Sequence, residues 1–167
     1  MTQRTEPVRR ARVVTRGKAE MIGEGLARLQ RVAGEAGVEL VLDQDEAVKH
    51  QLDAPVDDEP ADVTIVLGGD GTMLRALQRS LGKSCPVVGV NFGSVGFLTT
   101  IPSDDLEAGL KRVFSGEYEV VELPTLEAEL WGERFVAVND VVVASSVIGR
   151  MAHLAWEIGG EELGVVS

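Results

Sequence analysis

Apolar positions along the first two thirds of the chain alternate between two periods. Residues 11–15 form a short apolar run that predicts a first strand. Residues 18–36 carry Met21, Ile22, Leu26, Leu29 and Val32 at helical spacing, and Gly37 stands where a helix C-cap belongs. Residues 38–42 predict a second strand. Residues 63–67 are a continuous, β-branched apolar run bounded by turn residues, the pattern of a buried parallel strand. A helix over about 72–81 and another buried strand over 86–91 follow. Ser103 is a suitable N-cap, with Asp104 and Asp105 favourable in the first turn, for a helix to about Phe114. Strand–helix alternation of this kind predicts an α/β fold, a parallel sheet in a Rossmann-like nucleotide-binding layer.

After about Tyr118 the pattern changes. Residues 118–130, 135–144 and 153–158 read as strands with no helix between them, and Trp131-Gly132 and Gly159-Gly160 read as turns. The expected organisation is therefore an α/β domain over residues 1–117 and the beginning of a β-rich second domain over 118–167. Three strands make a poor sheet alone. They are expected to dock on the first domain, to pair with another chain, or to belong to a larger region of which this is a part.

Composition narrows the functional classes. The 167 residues are 44% hydrophobic and 26% charged, as in a soluble globular protein. Sixteen basic against 27 acidic side chains give a net charge of −11, which argues against non-specific nucleic-acid binding. Aromatic residues, at 4%, are too few for a large base-stacking surface. One cysteine, Cys85, excludes an internal disulfide framework and suggests a reducing cytoplasm. No apolar run approaches a membrane span, and residues 1–12 lack the apolar stretch of a signal peptide. Charge is uneven: residues 1–20 carry net +4 and read as a partly ordered basic tail leading into a strand, whereas residues 43–62 carry net −7 with Pro55 and Pro60 and read as an exposed loop.

The strongest chemical signal is Gly68-Gly69-Asp70-Gly71-Thr72, directly after a predicted buried strand and opening a helix. Three glycines in four positions allow close approach of a ligand to the backbone, and the helix N-terminus offers free N–H groups to an anion. Asp70 would oppose an anion directly. It suits a metal ion, a sugar hydroxyl or a reacting proton, or else it caps the helix. A second loop, Asn91-Phe92-Gly93-Ser94-Val95-Gly96-Phe97-Leu98, also follows a buried strand. Phe97 either plugs the core beneath this loop or meets a planar ligand. A third feature, Asn139-Asp140, interrupts the apolar run 135–143. The pair marks an edge or bulge, or faces ribose hydroxyls.

Other candidates are weaker. Gly82-Lys83-Ser84 imitates the end of a P-loop, but Leu77 stands where the pattern needs glycine, and no G-x-G-x-x-G fingerprint occurs. His50 and His153 lack metal-ligand spacing and read as satisfied or exposed. Cys85 reads as structural. Trp131 and Trp156 read as core or interface.

Taken together, three motifs resemble the NAD kinases. They are Gly68-Gly69-Asp70-Gly71-Thr72 followed by Met73-Leu74-Arg75-Ala76, the loop Gly89-Val90-Asn91-x-Gly93-x-x-Gly96-Phe97-Leu98, and Asn139-Asp140, in the family's order and spacing. The glycine turn alone also resembles diacylglycerol and sphingosine kinases, which do not typically add the second loop. The resemblance implies transfer of the γ-phosphoryl group of ATP, or of polyphosphate, to the 2′-hydroxyl of the adenosine ribose of NAD, assisted by a divalent metal, magnesium by expectation. It implies Asp70 as the catalytic carboxylate and Gly68, Gly69, Gly71 and Thr72 as the phosphate-facing turn. Phe97 would lie against adenine, and Asn139 and Asp140 would contact ribose hydroxyls. Implied partners are the small molecules NAD and ATP, with neither nucleic acid nor membrane, in a cytoplasmic homo-oligomer built through a complete β region. Family members continue to a further motif, Asp-Gly followed by Thr-Pro-Thr-Gly-Ser-Thr-x-Tyr, that is absent here. The expectation is an incomplete dinucleotide site and impaired turnover. A non-catalytic nucleotide-binding fragment and a lipid-kinase-like enzyme are the alternatives.

Overall fold

A computed structural model describes residues 2–4 (backbone only), 6–17, 22–50, 60–93 and 96–166. The chain divides into two compact units, Met1–Pro124 and Thr125–Ser167.

In the first unit, β1 (Thr2–Arg4) is followed by β2 (Arg10–Thr15), α1 (Gly23–Ala36), β3 (Glu39–Leu42), α2 (Gln44–His50), β4 (Val63–Gly68), α3 (Asp70–Arg79), β5 (Val87–Asn91), β6 (Ile101–Pro102), α4 (Leu106–Phe114) and β7 (Tyr118–Val120). Five strands form a wholly parallel sheet in the order β3-β2-β4-β5-β6. The chain winds one way from β2 to β3 and then crosses back to β4. This doubly wound order places its switch point between the ends of β2 and β4, where open α/β sheets bind ligands.

Both faces of the sheet are covered, which is why β4 reads as an unbroken apolar run. Its six residues are all buried. Ala11, Val13, Val63, Ile65 and Leu67 face Leu26, Leu29, Val32, Leu106, Leu110 and Phe114 of α1 and α4. Val14 and Val66 join Met73 and Ala76 of α3 in a separate cluster. Alternation within the strand thus sorts neighbours onto opposite layers. Leu110 is fully buried, and truncating such a residue to alanine costs about 2–5 kcal/mol. Helix α1 ends as its sequence predicts: Gly37 is left-handed (φ 68°), its N–H donates to the Gly34 carbonyl, and the Val38 N–H donates to the Ala33 carbonyl at 2.9 Å, a Schellman closure.

Several expectations change. The basic start is not a tail: β1 pairs antiparallel with β7. The acidic stretch is not simply a loop, since residues 44–50 form α2. Glu46 there is buried and accepts hydrogen bonds from Thr15, a tertiary gain that local composition conceals. Residues 51–59, with Pro55, and residues 18–21, with Met21, lie outside the described residues. Ser103 does not cap α4 but opens a single 3-10 turn, Ser103–Asp105.

The second unit contains two antiparallel hairpins, β8 (Leu126–Leu130) with β9 (Glu133–Ala137) and β10 (Leu154–Ile158) with β11 (Glu161–Val166). Both turns have two consecutive positive φ angles, at Trp131 and Gly132 (52° and 82°) and at Gly159 and Gly160 (61° and 87°). Turns of that hand match strand twist. The expected strand over 118–130 is broken around Pro124, which has no N–H to give to a ladder. The expected strand over 135–144 stops at Ala137. Residues 141–143 have high β propensity but no pairing strand among the described residues. Trp131 is 94% exposed and Trp156 is exposed too, so neither is core within this unit.

Helices α1 and α4 are tied by Arg28, which grips Glu107 as a fork: Nε donates to Oε1 at 2.7 Å and Nη2 to Oε2 at 2.5 Å. Arg31 adds a third hydrogen bond, at 2.9 Å. The Arg28 hydrogen bonds pull the Glu107 carboxyl from the usual 4.5 down to about 2. A depressed carboxyl stabilises the fold above its unfolded value and loses that effect as pH falls through the folded one. Glu107→Gln is therefore expected to lower the thermal midpoint at neutral pH, with the deficit closing as pH drops from 4.5 to about 2. Melting both proteins across that range checks it, and a deficit independent of pH would assign the loss to packing.

Candidate nucleotide site

Strand β4 ends at Gly68, and Gly69 is extended (φ −109°, ψ −169°) as the N-cap of α3, its carbonyl accepting the N–H groups of Thr72 and Met73. Asp70 is thus the first helical residue rather than the cap. Its carboxylate turns to the second motif instead: Oδ2 accepts the Phe97 N–H at 2.9 Å and Oδ1 accepts the Leu98 N–H at 3.1 Å. Those two bonds, with a further one from the Thr99 backbone, hold the Asp70 carboxyl below the usual carboxylate range, so it is an anion at neutral pH.

The second motif is fastened at three other points. The Phe92 N–H donates to the Gly68 carbonyl at 3.0 Å. The Phe92 ring lies on α1 at Gly25, where a methyl group would sit only 2.5 Å from the ring. Asn91 closes an Asx turn, its Oδ1 accepting the Gly93 N–H at 2.8 Å. Gly69 and Gly93 then face each other so closely that a methyl on Gly93 would lie 3.6 Å from Cα of Gly69. Two glycine motifs distant in sequence therefore share one edge of the sheet. Ser94 and Val95 lie outside the described residues.

The glycines of the first motif differ in purpose. A methyl on Gly68 would stand 2.6 Å from Thr72 Oγ1 and 2.8 Å from its Cβ, whereas one on Gly71 would meet nothing within 4 Å. Gly68 is demanded by packing, and Gly71 leaves open space. Thr72 is buried beneath the turn. Phe97 does not plug the core: it is 89% exposed, immediately beside the Asp70 carboxylate. Asn139 and Asp140 belong to the second unit, not inside a strand but on an exposed bend, with Asn139 Nδ2 donating to Asp140 Oδ1 at 3.3 Å.

A buried polar cluster adjoins this edge at the end of β2. Thr15 gives its hydroxyl proton to Glu46 Oε2 (2.6 Å), so its 2.7 Å contact with His50 requires Nε2 of the imidazole to donate. Burial, then Lys49, lower the His50 pKa, so the ring is neutral at pH 7. Lys49 Nζ and Arg75 Nη2 both donate to the Thr15 carbonyl, at 2.6 and 2.7 Å. The cluster fastens α2 and α3 to the sheet. His50 is thus a satisfied histidine. Cys85 makes two weak contacts, Sγ with Thr64 Oγ1 at 3.4 Å and Sγ donating to the Pro86 carbonyl at 3.8 Å. Among the described residues no group of three or more His, Cys, Asp or Glu side chains could hold a metal. No helix there is long and apolar enough to cross a membrane.

Asn91 and Phe92, which stand in the second motif, and the Thr99 backbone are site-forming residues to which motif reading assigned no role of their own. Asn91 had a usable signal, as the one amide closing an apolar strand before a glycine loop. Phe92 and Thr99 had none, because their partners Gly25 and Asp70 are distant in the chain.

A doubly wound parallel sheet with a glycine turn, a helix N-terminus and an anchored carboxylate at its switch point defines a nucleotide-binding α/β protein. The family model of the ATP-NAD kinase N-terminal domain matches residues 14–118, and the chain belongs to the NAD kinase family. It is 42% identical over 103 residues to the NAD kinase of Symbiobacterium thermophilum, covering 59% of this chain and 36% of that one. It is 34% identical over 171 residues to the NAD kinase of Ralstonia nicotianae, covering 93% of this chain and 55% of that one. Among solved structures, yeast NADH kinase crystallised with NADH shares the fold at a TM-score of 0.61 and 16% identity, over 79% of this chain and 46% of that one. The chain spans about a third to just over half the length of the relatives it matches.

Two outcomes test the site geometry. Gly68→Ala is expected to destabilise the first unit by about 1–3 kcal/mol in chemical denaturation, because stiff, β-branched Thr72 cannot withdraw. Asp70→Asn turns an amide donor toward N–H groups that now meet oxygen, and amide exchange at residues 97–99 is expected to accelerate. Unchanged exchange there would mean that Asp70 does not hold the loop.

Proposed function

We propose that this chain carries the phosphoryl-transfer half of an NAD kinase, moving the terminal phosphoryl group of ATP or polyphosphate to the 2′-hydroxyl of the adenosine ribose of NAD. The observation that carries this reading is the Asp70 carboxylate hydrogen-bonded to the backbone of Phe97, whose side chain is exposed, next to an open glycine turn. Adenine stacked on Phe97 brings its ribose toward Asp70, and Gly69, Gly71 and the start of α3 are left for phosphate. In the second unit, the exposed polar pair Asn139 and Asp140 fits the ribose-hydroxyl contacts that the family motif implies.

The lowered pKa of Asp70 favours one of two roles. A carboxylate stabilised by backbone N–H groups is a weak base, poorly matched to stripping a sugar hydroxyl before attack. Phosphoryl transfer through a loose transition state needs alignment and charge neutralisation more than prior deprotonation. Asp70 therefore accepts a hydrogen bond from the 2′-hydroxyl and aims its oxygen at the terminal phosphorus. As the new O–P bond forms, the bond to the leaving phosphate breaks and the hydroxyl proton passes to the carboxylate.

A divalent metal fits under one condition. Three backbone N–H bonds leave one of the roughly four lone-pair sites of the Asp70 carboxylate free, so this side chain can offer one metal contact. With no protein cage among the described residues, the remaining ligands would be phosphate oxygens and water, as magnesium prefers. Bound there, the metal neutralises charge on the transferring phosphate.

The test is NADP formation by the purified chain supplied with NAD, ATP and magnesium. Asp70→Asn is expected to reduce turnover by about 10²-fold or more. Gly71→Ala is expected to leave the thermal midpoint unchanged or higher, since the methyl meets nothing and alanine favours the helix, while turnover falls because ligand space is filled. A folded chain that binds NAD without turnover would reduce the reading to nucleotide binding. Turnover indifferent to Asp70→Asn would remove the carboxylate from the mechanism.

A further inference from the structure

The switch point of the sheet lies between β2 and β4, and the first residue beyond β2 is Arg16. Its N–H donates to the Leu67 carbonyl at 2.9 Å, which continues the parallel ladder past the strand end and fixes where the side chain leaves the backbone. Opposite stands Gly68, where a methyl group would lie 3.1 Å from Arg16 Cβ. The side chain is exposed and reaches toward the end of β5, with Nη1 3.5 Å from the Phe92 carbonyl, at the outer limit of a hydrogen bond. The guanidinium thus runs from β2 past the end of β4 toward β5, along the glycine turn.

Its charge is also unspent. Nearby arginines are committed to carboxylates: Arg12 to Asp43, Arg75 to Glu46, and Arg79 to Asp43 and Asp45. Arg16 has no carboxylate partner among the described residues, in a chain of net charge −11. Its only polar side-chain contact there is a carbonyl at marginal distance.

We infer that Arg16 binds the phosphate chain of the phosphoryl donor, its guanidinium and the Gly69–Gly71 backbone holding the group to be transferred. This rests on the phosphotransfer reading given above and adds a residue to it. A guanidinium presents a fork that matches phosphate oxygens and stays charged at every physiological pH. The acceptor hydroxyl is placed by Asp70, on the side of the second motif. In-line transfer sets the leaving phosphate opposite that hydroxyl, over the glycine turn, and the Arg16 side chain crosses that turn from the end of β2 to the Phe92 carbonyl.

Calorimetric titration of the 167-residue chain with inorganic tripolyphosphate, adenosine and NAD separates the possibilities. Arg16→Ala is expected to weaken tripolyphosphate binding ~10- to 100-fold and to leave adenosine unchanged, with Arg16→Lys in between. Lys83→Ala removes the same charge from an exposed turn between α3 and β5, and is expected to change neither. The thermal midpoint of Arg16→Ala should match the parent, because the side chain is exposed. Tripolyphosphate binding unchanged in Arg16→Ala, or weakened equally in Lys83→Ala, overturns the assignment while adenosine and NAD binding keep the nucleotide reading standing. Loss of NAD affinity with tripolyphosphate unaffected overturns the donor assignment and moves Arg16 to the acceptor's pyrophosphate. A folded parent that binds none of the three overturns the nucleotide reading itself, and the inference with it.

Discussion

Parallel pairing of β2, β4 and β5 sends three strand ends to one edge of the sheet, and all the candidate chemistry of the first unit gathers there. Arg16, Gly68 and Phe92 each stand at or just past a strand end. They become neighbours because the strands run in register and in one direction. An antiparallel strand at the position of β4 would carry the glycine turn to the opposite edge. The parallel arrangement requires helical crossovers, which bury both faces of the sheet. The apolar demand on β4, all six residues buried, is the cost of placing the turn where it is.

On this edge Asp70 works in two directions. Its carboxylate accepts the N–H groups of Phe97 and Leu98 and so makes one surface of two motifs. The same bonds hold it ionised, and an ionised carboxylate at a helix N-terminus is favoured by the free N–H groups there. Structure and chemistry are therefore not separable at this residue. A group fixed by three backbone donors is aligned before any ligand arrives, and alignment is most of what phosphoryl transfer asks of a protein.

The second unit follows different physics. Its two hairpins have well-formed turns, yet β11 is exposed along its whole length and Val142, Ile148 and Val165 stand open to solvent. Local turn chemistry suffices to form a hairpin but not to bury one. Asn139 and Asp140 illustrate the consequence. In an apolar run they look like polar residues forced into a strand, but the strand ends at Ala137, residues 141–143 have no partner strand among the described residues, and the pair lies exposed just beyond the strand end.

By itself the sequence determined the layer class, the places of β4 and β5, the closure of α1 at Gly37 and both glycine turns of the second unit. Each is set by neighbours within a few residues: an apolar run, a residue free to take positive φ, a helical spacing. It also carried the three motifs that place the chain in its family. Tertiary structure decided the rest. Helix α2 exists in an acidic, proline-flanked stretch because Glu46 finds Thr15 on β2. Asp70 is an anchor rather than a cap because the loop after β5 offers it N–H groups from 27 residues away. Phe97 is exposed while Phe92, five residues earlier, packs against Gly25 on α1. Spacing along the chain cannot report these, since each depends on a partner brought close only when the sheet assembles.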